Sequence, residues 1–427
     1  MKRNGLRIVG VAAALSLVGA ACASDDNDAT STTATAMTES STTMDDMDGM
    51  DMDAMPMGID TGASELRSAL TNLLQEHVYL AGIAISTAVA DGVDAPSTTA
   101  AVETLDTNSV ALSEAIAGIY GDEAGEQFLA LWRDHIGMFV DYTVATASGD
   151  QAAADEAKAS LDAYRTEFAA FIDSATDGEL AAETTAENLQ MHVNTLVAAI
   201  DAVVAGSPEA FGLLQTAAGH MSTTAQALSG AIAAQMPDQF DGAVDAPAAE
   251  LRAGLTALLQ EHVYLAGIAI STAVADGVDA PSTTAAVETL DTNSVALSEA
   301  IAGIYGDEAG EQFLALWRDH IGMFVDYTVA TASGDQAAAD EAKASLDAYR
   351  TEFAAFIDSA TDGELAAETT AENLQMHVNT LVAAIDAVVA GSPETFAELR
   401  TAAQHMPSTA QALSGAIVAQ MPDEFAG

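Results

Sequence analysis

Apolar residues recur every three or four positions through most of this chain, the spacing of one face of a helix. The row Leu66, Leu70, Leu73, His77, Leu80 is the first clear instance. Strict apolar–polar alternation, the mark of a half-buried strand, does not occur. Between residues 64 and 235 the pattern predicts six helices, over 64–90, 99–119, 122–147, 151–175, 179–205 and 208–235. The punctuation agrees. Ser97 after Pro96 reads as an N-cap, and Ser148-Gly149-Asp150 and Asp177-Gly178 read as breaks. Ser207-Pro208-Glu209 supplies a cap, a first-turn proline and a first-turn acid. Abundant alanine favours helix and lets helices approach closely.

The pattern is written twice. Residues 73–209 recur unchanged as 258–394, and the related sequence runs from about Leu66 to Gly242 and from Leu251 to Gly427. The period is far too long for a solenoid, so whole domains stand in tandem. The expected fold is all-α: two near-identical antiparallel helical bundles of about six helices each, over 63–242 and 249–427. The short link around Asp241 to Ala249 should keep them close. Residues 23–62 are mostly Asp, Ser, Thr, Ala and Met. So few large apolar side chains cannot offset the entropy of ordering, which predicts a disordered tether.

Charge and the leader add a location. Lys and Arg total 12 against 64 Asp and Glu, a net charge of −52. Such a field repels phosphate backbones, excluding nucleic acid as a natural partner, and attracts cations. Residues 1–22 have the form of an export signal: Lys2, Arg3 and Arg7, an apolar run from Ile8 to Val18, then Gly19-Ala20-Ala21-Cys22. Cys22 stands where a bacterial lipoprotein is cut and lipidated, although Gly19 occupies a position where a Leu-like residue is usual. Lipidation would anchor the protein to the outer face of the cytoplasmic membrane or in the cell envelope. Cleavage without lipidation and an uncleaved anchor are the alternatives. Cys22 is the only cysteine, so the exported protein has neither disulfides nor a thiolate metal site. No feature of the sequence names a protein partner.

The chemistry-bearing residues are eight histidines, four per copy: His77, His135, His192 and His220, then His262, His320, His377 and His405. Each falls near the middle of a different predicted helix. His77 continues the leucine row, His135 shares a face with Phe128, Leu131, Met138 and Tyr142, and His192 lies between Leu189 and Leu196. His220 fits less well, because Thr224 follows Leu213 and Ala217 in its row. At least three imidazoles per bundle therefore point inward from separate helices, as in bundle metal sites. The plainer reading is that each is a core histidine satisfied by one hydrogen bond.

Imidazole suits copper, zinc and iron. Met138, one turn from His135, and its counterpart Met323 are possible thioether ligands, with core filling as the alternative. Glu-x-x-His is absent, since Leu74, Trp132, Leu189 and Ala217 stand three before the histidines, and His-Glu-x-x-His does not occur. Glu76 and Asp134 each precede a histidine, point about 100° away from it, and are expected at a solvated rim; Arg133, Asp141 and Tyr142 read as surface or packing residues. The chain lacks a Gly-x-Ser-x-Gly elbow and a phosphate-cradling glycine loop, so no catalytic residue is expected. In the tether, Met50, Met52, Met55 and Met57 form two Met-x-Met pairs among aspartates. Thioethers select Cu(I), so the pairs read as a weak copper collector or as a plain acidic linker.

The strings LLQEHVYLAG, AIAGIYGDEAGEQFLALWRDHIGMFVDYT, LQMHVNTLVAAIDAVVAG and AQALSGAIVAQMPDEF resemble a poorly characterised bacterial family of exported helical-bundle proteins, some labelled "copper amine oxidase". The resemblance covers both copies. It implies the helical fold and an association with copper, with Glu76-His77, His135-Ile136, His192-Val193 and His220-Met221 matching the family's pattern. Amine oxidation is not expected, because the chain has neither an Asn-Tyr-Asp/Glu quinone precursor nor a His-x-His pair. The leading expectation is an exported, lipid-anchored protein that binds or sequesters a transition metal, copper first, without turnover. The alternatives are a metal-free structural or interaction module of the envelope, or a small-molecule sensor domain.

Overall fold

The computed structural model describes residues 58–425, which form helices and turns without a strand. The first copy comprises α1 (Gly62–Asp91), α2 (Pro96–Tyr120), α3 (Asp122–Ser148), α4 (Gln151–Ala175), α5 (Ala182–Ala205), α6 (Ala210–Gly219) and α7 (Met221–Gln235). The second comprises α8 (Pro247–Asp276), α9 (Pro281–Tyr305), α10 (Asp307–Ser333), α11 (Gln336–Ala360), α12 (Ala367–Ala390), α13 (Thr395–Gln404) and α14 (Met406–Gln420), followed by the short α15 (Pro422–Phe425). Short links force successive helices to pack against each other. Between α2 and α3 the link is Gly121 alone, at φ +91°, a backbone angle that L side chains rarely adopt.

Each copy therefore has seven main helices, with the short α15 added in the second, where the periodicity predicts about six. The helix expected over 208–235 breaks at His220, between α6 and α7. Smaller differences concern starts. The expected cap Ser207 and first-turn Pro208 stand before α6, which begins at Ala210 with Glu209 as its cap. Ala95, with Pro96 at the first position, opens α2, and Ser97 lies inside that helix donating to Asp91 Oδ2 over 2.6 Å. The second bundle begins at Pro247, inside the expected link.

Helix α1 is the hub. It packs on α2, α3, α5, α6 and α7 of its own copy and on α8 of the other. Nine successive residues, Leu74 to Gly82, are buried, which a one-sided amphipathic helix cannot achieve. Both α1 and α8 reach the length and mean hydropathy (1.3) of a membrane span, yet most of each apolar window is covered by other helices. Close approach is built in at Gly82, where a Cβ would lie 2.4 Å from Leu214 Cδ1 of α6.

The two copies meet through α1 and α8, which run parallel about a pseudo-two-fold axis. Tyr79 and its counterpart Tyr264 stack across that axis, ring centres 5.3 Å apart and 12° from parallel. Tyr79 Oη donates to Glu261 over 2.9 Å and Tyr264 Oη donates to Glu76 over 3.0 Å, the same contact made twice, as an isologous interface requires. The leading segments cross over as well. Arg252 Nη1 donates to the Ile59 carbonyl at 2.9 Å, and the equivalent Arg67 donates to the Val244 carbonyl. Ile59 is buried against Ala248 and Val418 of the second copy. Residues 58–61, expected as the end of the disordered tether, are thus seated in the fold. One large apolar side chain and a buried guanidinium supply the anchorage that the rest of the tether's composition lacks.

Candidate metal centre

Helix phase brings three of the four histidines of each copy together. His77 comes from α1, His135 from α3 and His192 from α5, and all are buried. Nε2 of His135 lies 3.3 Å from Nε2 of His77. Ring centres are 5.3, 6.3 and 6.4 Å apart, and one nitrogen from each ring falls within 4.8 Å of the others. The second copy repeats the arrangement with His262, His320 and His377, again with a 3.3 Å Nε2–Nε2 approach.

Aromatic side chains hold the rings. Trp132 lies one turn before His135 on the same face and packs against both His77 (4.7 Å) and His135 (4.6 Å). Tyr164 of α4 stacks on His135 at 5.3 Å, with its hydroxyl 3.4 Å from Nδ1. Phe139 meets the His192 ring edge-on at 5.9 Å. These residues extend the apolar rows Trp132–His135–Phe139 and Leu161–Tyr164–Phe168, so the signal for them lay in helix phase.

The site keeps its imidazoles neutral. Burial first, and then the neighbouring rings, push His77 down to about 3 and His192 down to about 4, and hold His135 well below its ordinary value. Neutral imidazole is the form that ligates. His77 Nδ1 and His192 Nδ1 have no hydrogen-bond partner, and in the second copy neither nitrogen of His377 has one. Buried polar atoms are normally satisfied, so orphaned nitrogens within such a cluster indicate a missing partner. Three nitrogens about 2.0–2.1 Å from a three- or four-coordinate ion lie roughly 3.3–3.5 Å from each other. The His77–His135 approach already matches, and the wider gaps, up to 4.8 Å, must close by up to roughly 1.4 Å. The residues fit a transition-metal ion held by three histidines.

Each triad borders a cavity of about 70 Å³. In the first copy His135 and His192 form part of its wall, and in the second His262, His377 and His405 do. The remaining wall is mostly leucine, isoleucine and aromatic side chains. Met221 and Met406 also line it, whereas the methionines that spacing singles out, Met138 and Met323, pack between apolar clusters. Spacing along one helix selected Met138, but the cavity draws its walls from several helices.

His220 and His405 stand outside the triads. They occupy the breaks after α6 and α13, where Nε2 donates to the carbonyl of Asn188 (3.2 Å) and of Asn373 (3.0 Å). That bond engages the ring with backbone instead of the cluster. Glu76 also departs from expectation. Far from a solvated rim, it is wholly buried between the copies, accepting from Asn108 Nδ2 (2.8 Å), Tyr264 Oη and Arg400 Nη2 (3.2 Å). Asp134 and Asp141 are exposed. Arg133 grips Asp106 at the surface through two 2.7 Å bonds, and Tyr142 donates to Asp201 over 2.6 Å. Cys22, Met50, Met52, Met55 and Met57 lie outside the described residues. No family model, curated protein or solved structure matches the chain.

Proposed function

We propose that this is an exported, lipid-anchored protein that binds transition-metal ions, copper first, one in each bundle and without turnover. The convergence of His77, His135 and His192, with nitrogens within 4.8 Å and partly unpaired, carries the reading. The all-imidazole donor set suits copper, zinc and iron alike, and copper is favoured by the Met-x-Met pairs of the tether and the family resemblance of the sequence. The net charge of −52 draws cations toward the protein. Cys22 supplies the lipidation point that would hold it at the outer face of the membrane.

Sequestration is preferred to catalysis because no carboxylate or thiol joins either triad among the described residues. The decisive experiment loads the purified protein with copper under reducing and oxidising conditions and measures bound metal after desalting. Two ions per chain are expected for the wild type, one for the variant His77→Ala/His135→Ala/His192→Ala, and none when the second triad is replaced as well. Copper-, zinc- and iron-free wild type after exposure to each would sink the proposal and leave the imidazoles as core residues of a metal-free module.

A further inference from the structure

The cavity beside each triad has a chemistry of its own. Its wall in the first copy includes Leu74, Leu112, Phe128, Leu161, Phe168 and Ile232, with His135 and His192 on one side. The counterparts Leu259, Leu297, Phe313, Leu346, Phe353 and Ile417 are all buried in the second copy, and all but Leu346 and Ile417 line its cavity. Trp132 Nε1 is buried without a partner, as is Trp317 Nε1. The volume, about 70 Å³, holds roughly five water-sized probes. Apolar cavities of this kind stay dry and accept small apolar molecules.

The second observation is coordination number. Three histidines leave a tetrahedral shell one ligand short, so a metal bound in that geometry would have room for an outside ligand. Two of the three ligand rings in each copy form the cavity wall. The polar exceptions in the first wall are Thr185, Asn188, Thr224 and Arg165, the last paired with Asp162 at 3.9 Å, and no charged side chain lines the second. A hydroxide or carboxylate would lose its hydration there and meet few free donors in exchange. A small uncharged molecule meets no such penalty.

We infer that each triad is an open metal centre whose remaining position faces the cavity, and that the cavity selects a small, neutral, apolar ligand of the π-acceptor class. Carbon monoxide and ethylene share that chemistry with each other and bind reduced copper. The inference rests on the metal reading above and adds to it the identity class of a second ligand. It concerns binding alone, with no electron transfer.

Carbon monoxide is the probe. The full chain, loaded anaerobically with Cu(I), should take up one carbon monoxide per copper and show a single C–O stretching band in the infrared. The variant Leu189→Phe/Leu374→Phe places a ring in each cavity at a wall residue that is no ligand. It should keep two coppers and lose the band at least tenfold in intensity at a fixed carbon monoxide pressure. Should that variant misfold, xenon supplies a measurement on the wild type. Metal-free protein under xenon should show saturable shifts confined to methyl groups of the cavity wall. Ethylene competing with carbon monoxide supports a site selective by ligand class, and azide competing equally well overturns that selectivity. Copper that fails to load defeats the metal reading itself. Loaded copper without a band, a band that survives the filled cavity, or no xenon response in the wall defeats the present inference alone.

Discussion

Tyr264 and Glu76 belong to different copies of the repeated domain, yet the Tyr264 hydroxyl donates to Glu76 Oε1 over 3.0 Å inside a fully buried interface. The mirror contact, Tyr79 to Glu261, has the same form with a different neighbour. Arg400 faces Glu76, while Gln215, its counterpart, donates to Glu261 over 2.9 Å. The duplicated domain is therefore a covalently linked, slightly asymmetric dimer, with α1 and α8 each serving a triad on one side and the interface on the other.

That asymmetry makes a controlled comparison. Glu76→Ala strands the Arg400 guanidinium together with Asn108 and Tyr264, and removing one partner of a buried ion pair costs about 3–5 kcal/mol. Glu261→Ala leaves only neutral donors, at about 1–3 kcal/mol. Denaturant unfolding should rank Glu76→Ala as the more damaging. Equal losses would show that Arg400 contributes no buried charge there.

Acid should weaken the metal-free protein through its triads. His77 and His192 are pushed to about 3 and about 4, below the 6.5 of an unfolded histidine. Between pH 6.5 and those values the unfolded chain binds more protons than the folded one, so stability falls as pH falls. At pH 4.5 the loss is about 2–3 kcal/mol for each such imidazole. The test compares unfolding midpoints of wild type and a variant with all six triad histidines changed to leucine, at pH 7, 5.5 and 4.5. The shared carboxylates cancel, and the gap between the two proteins should move in favour of the leucine variant on acidification. A gap independent of pH would mean that the imidazoles are not desolvated.

The helical class and the inward phase of His77, His135 and His192 were legible because each lies in a row of large apolar residues, and in α3 and α5 the opposite face is wet. Glu76 was not legible for the complementary reason. Periodicity assumes one dry face, and α1 has two, since its far side meets α8. Its run of buried residues from Leu74 to Gly82 shows in sequence only as unusual apolarity. His220 gave a partial signal, because Thr224 broke its row where the structure breaks the helix. Met221 gave none, since a cavity walled by several helices has no spacing in one dimension.

His220→Ala and His405→Ala should leave copper stoichiometry at two. The rings donate to carbonyls of α5 and α12 respectively instead of joining a triad. The expected cost is about 1 kcal/mol of stability from the lost hydrogen bond. Metal analysis of the double variant checks this, and a fall to one or no copper would place these rings among the ligands.

Tyr164 makes the last and most local prediction. Its hydroxyl lies 3.4 Å from His135 Nδ1, and its ring stacks on the imidazole at 5.3 Å. Burial raises the phenol well above its ordinary pKa, so it stays protonated. The contact leaves Nε2, the nitrogen nearest His77, turned toward the cluster. Outer-shell partners of this kind are worth about 10–100-fold in metal affinity. Tyr164→Phe keeps the stacking and removes only the hydroxyl, so it should weaken copper binding at the first triad roughly tenfold and leave the second unchanged. Competition titration of the single variant against a Cu(I) chelator would resolve two unequal sites where the wild type shows two nearly equal ones. If the sites stay equal, the hydroxyl does not position His135, and the stacked ring alone fixes its orientation.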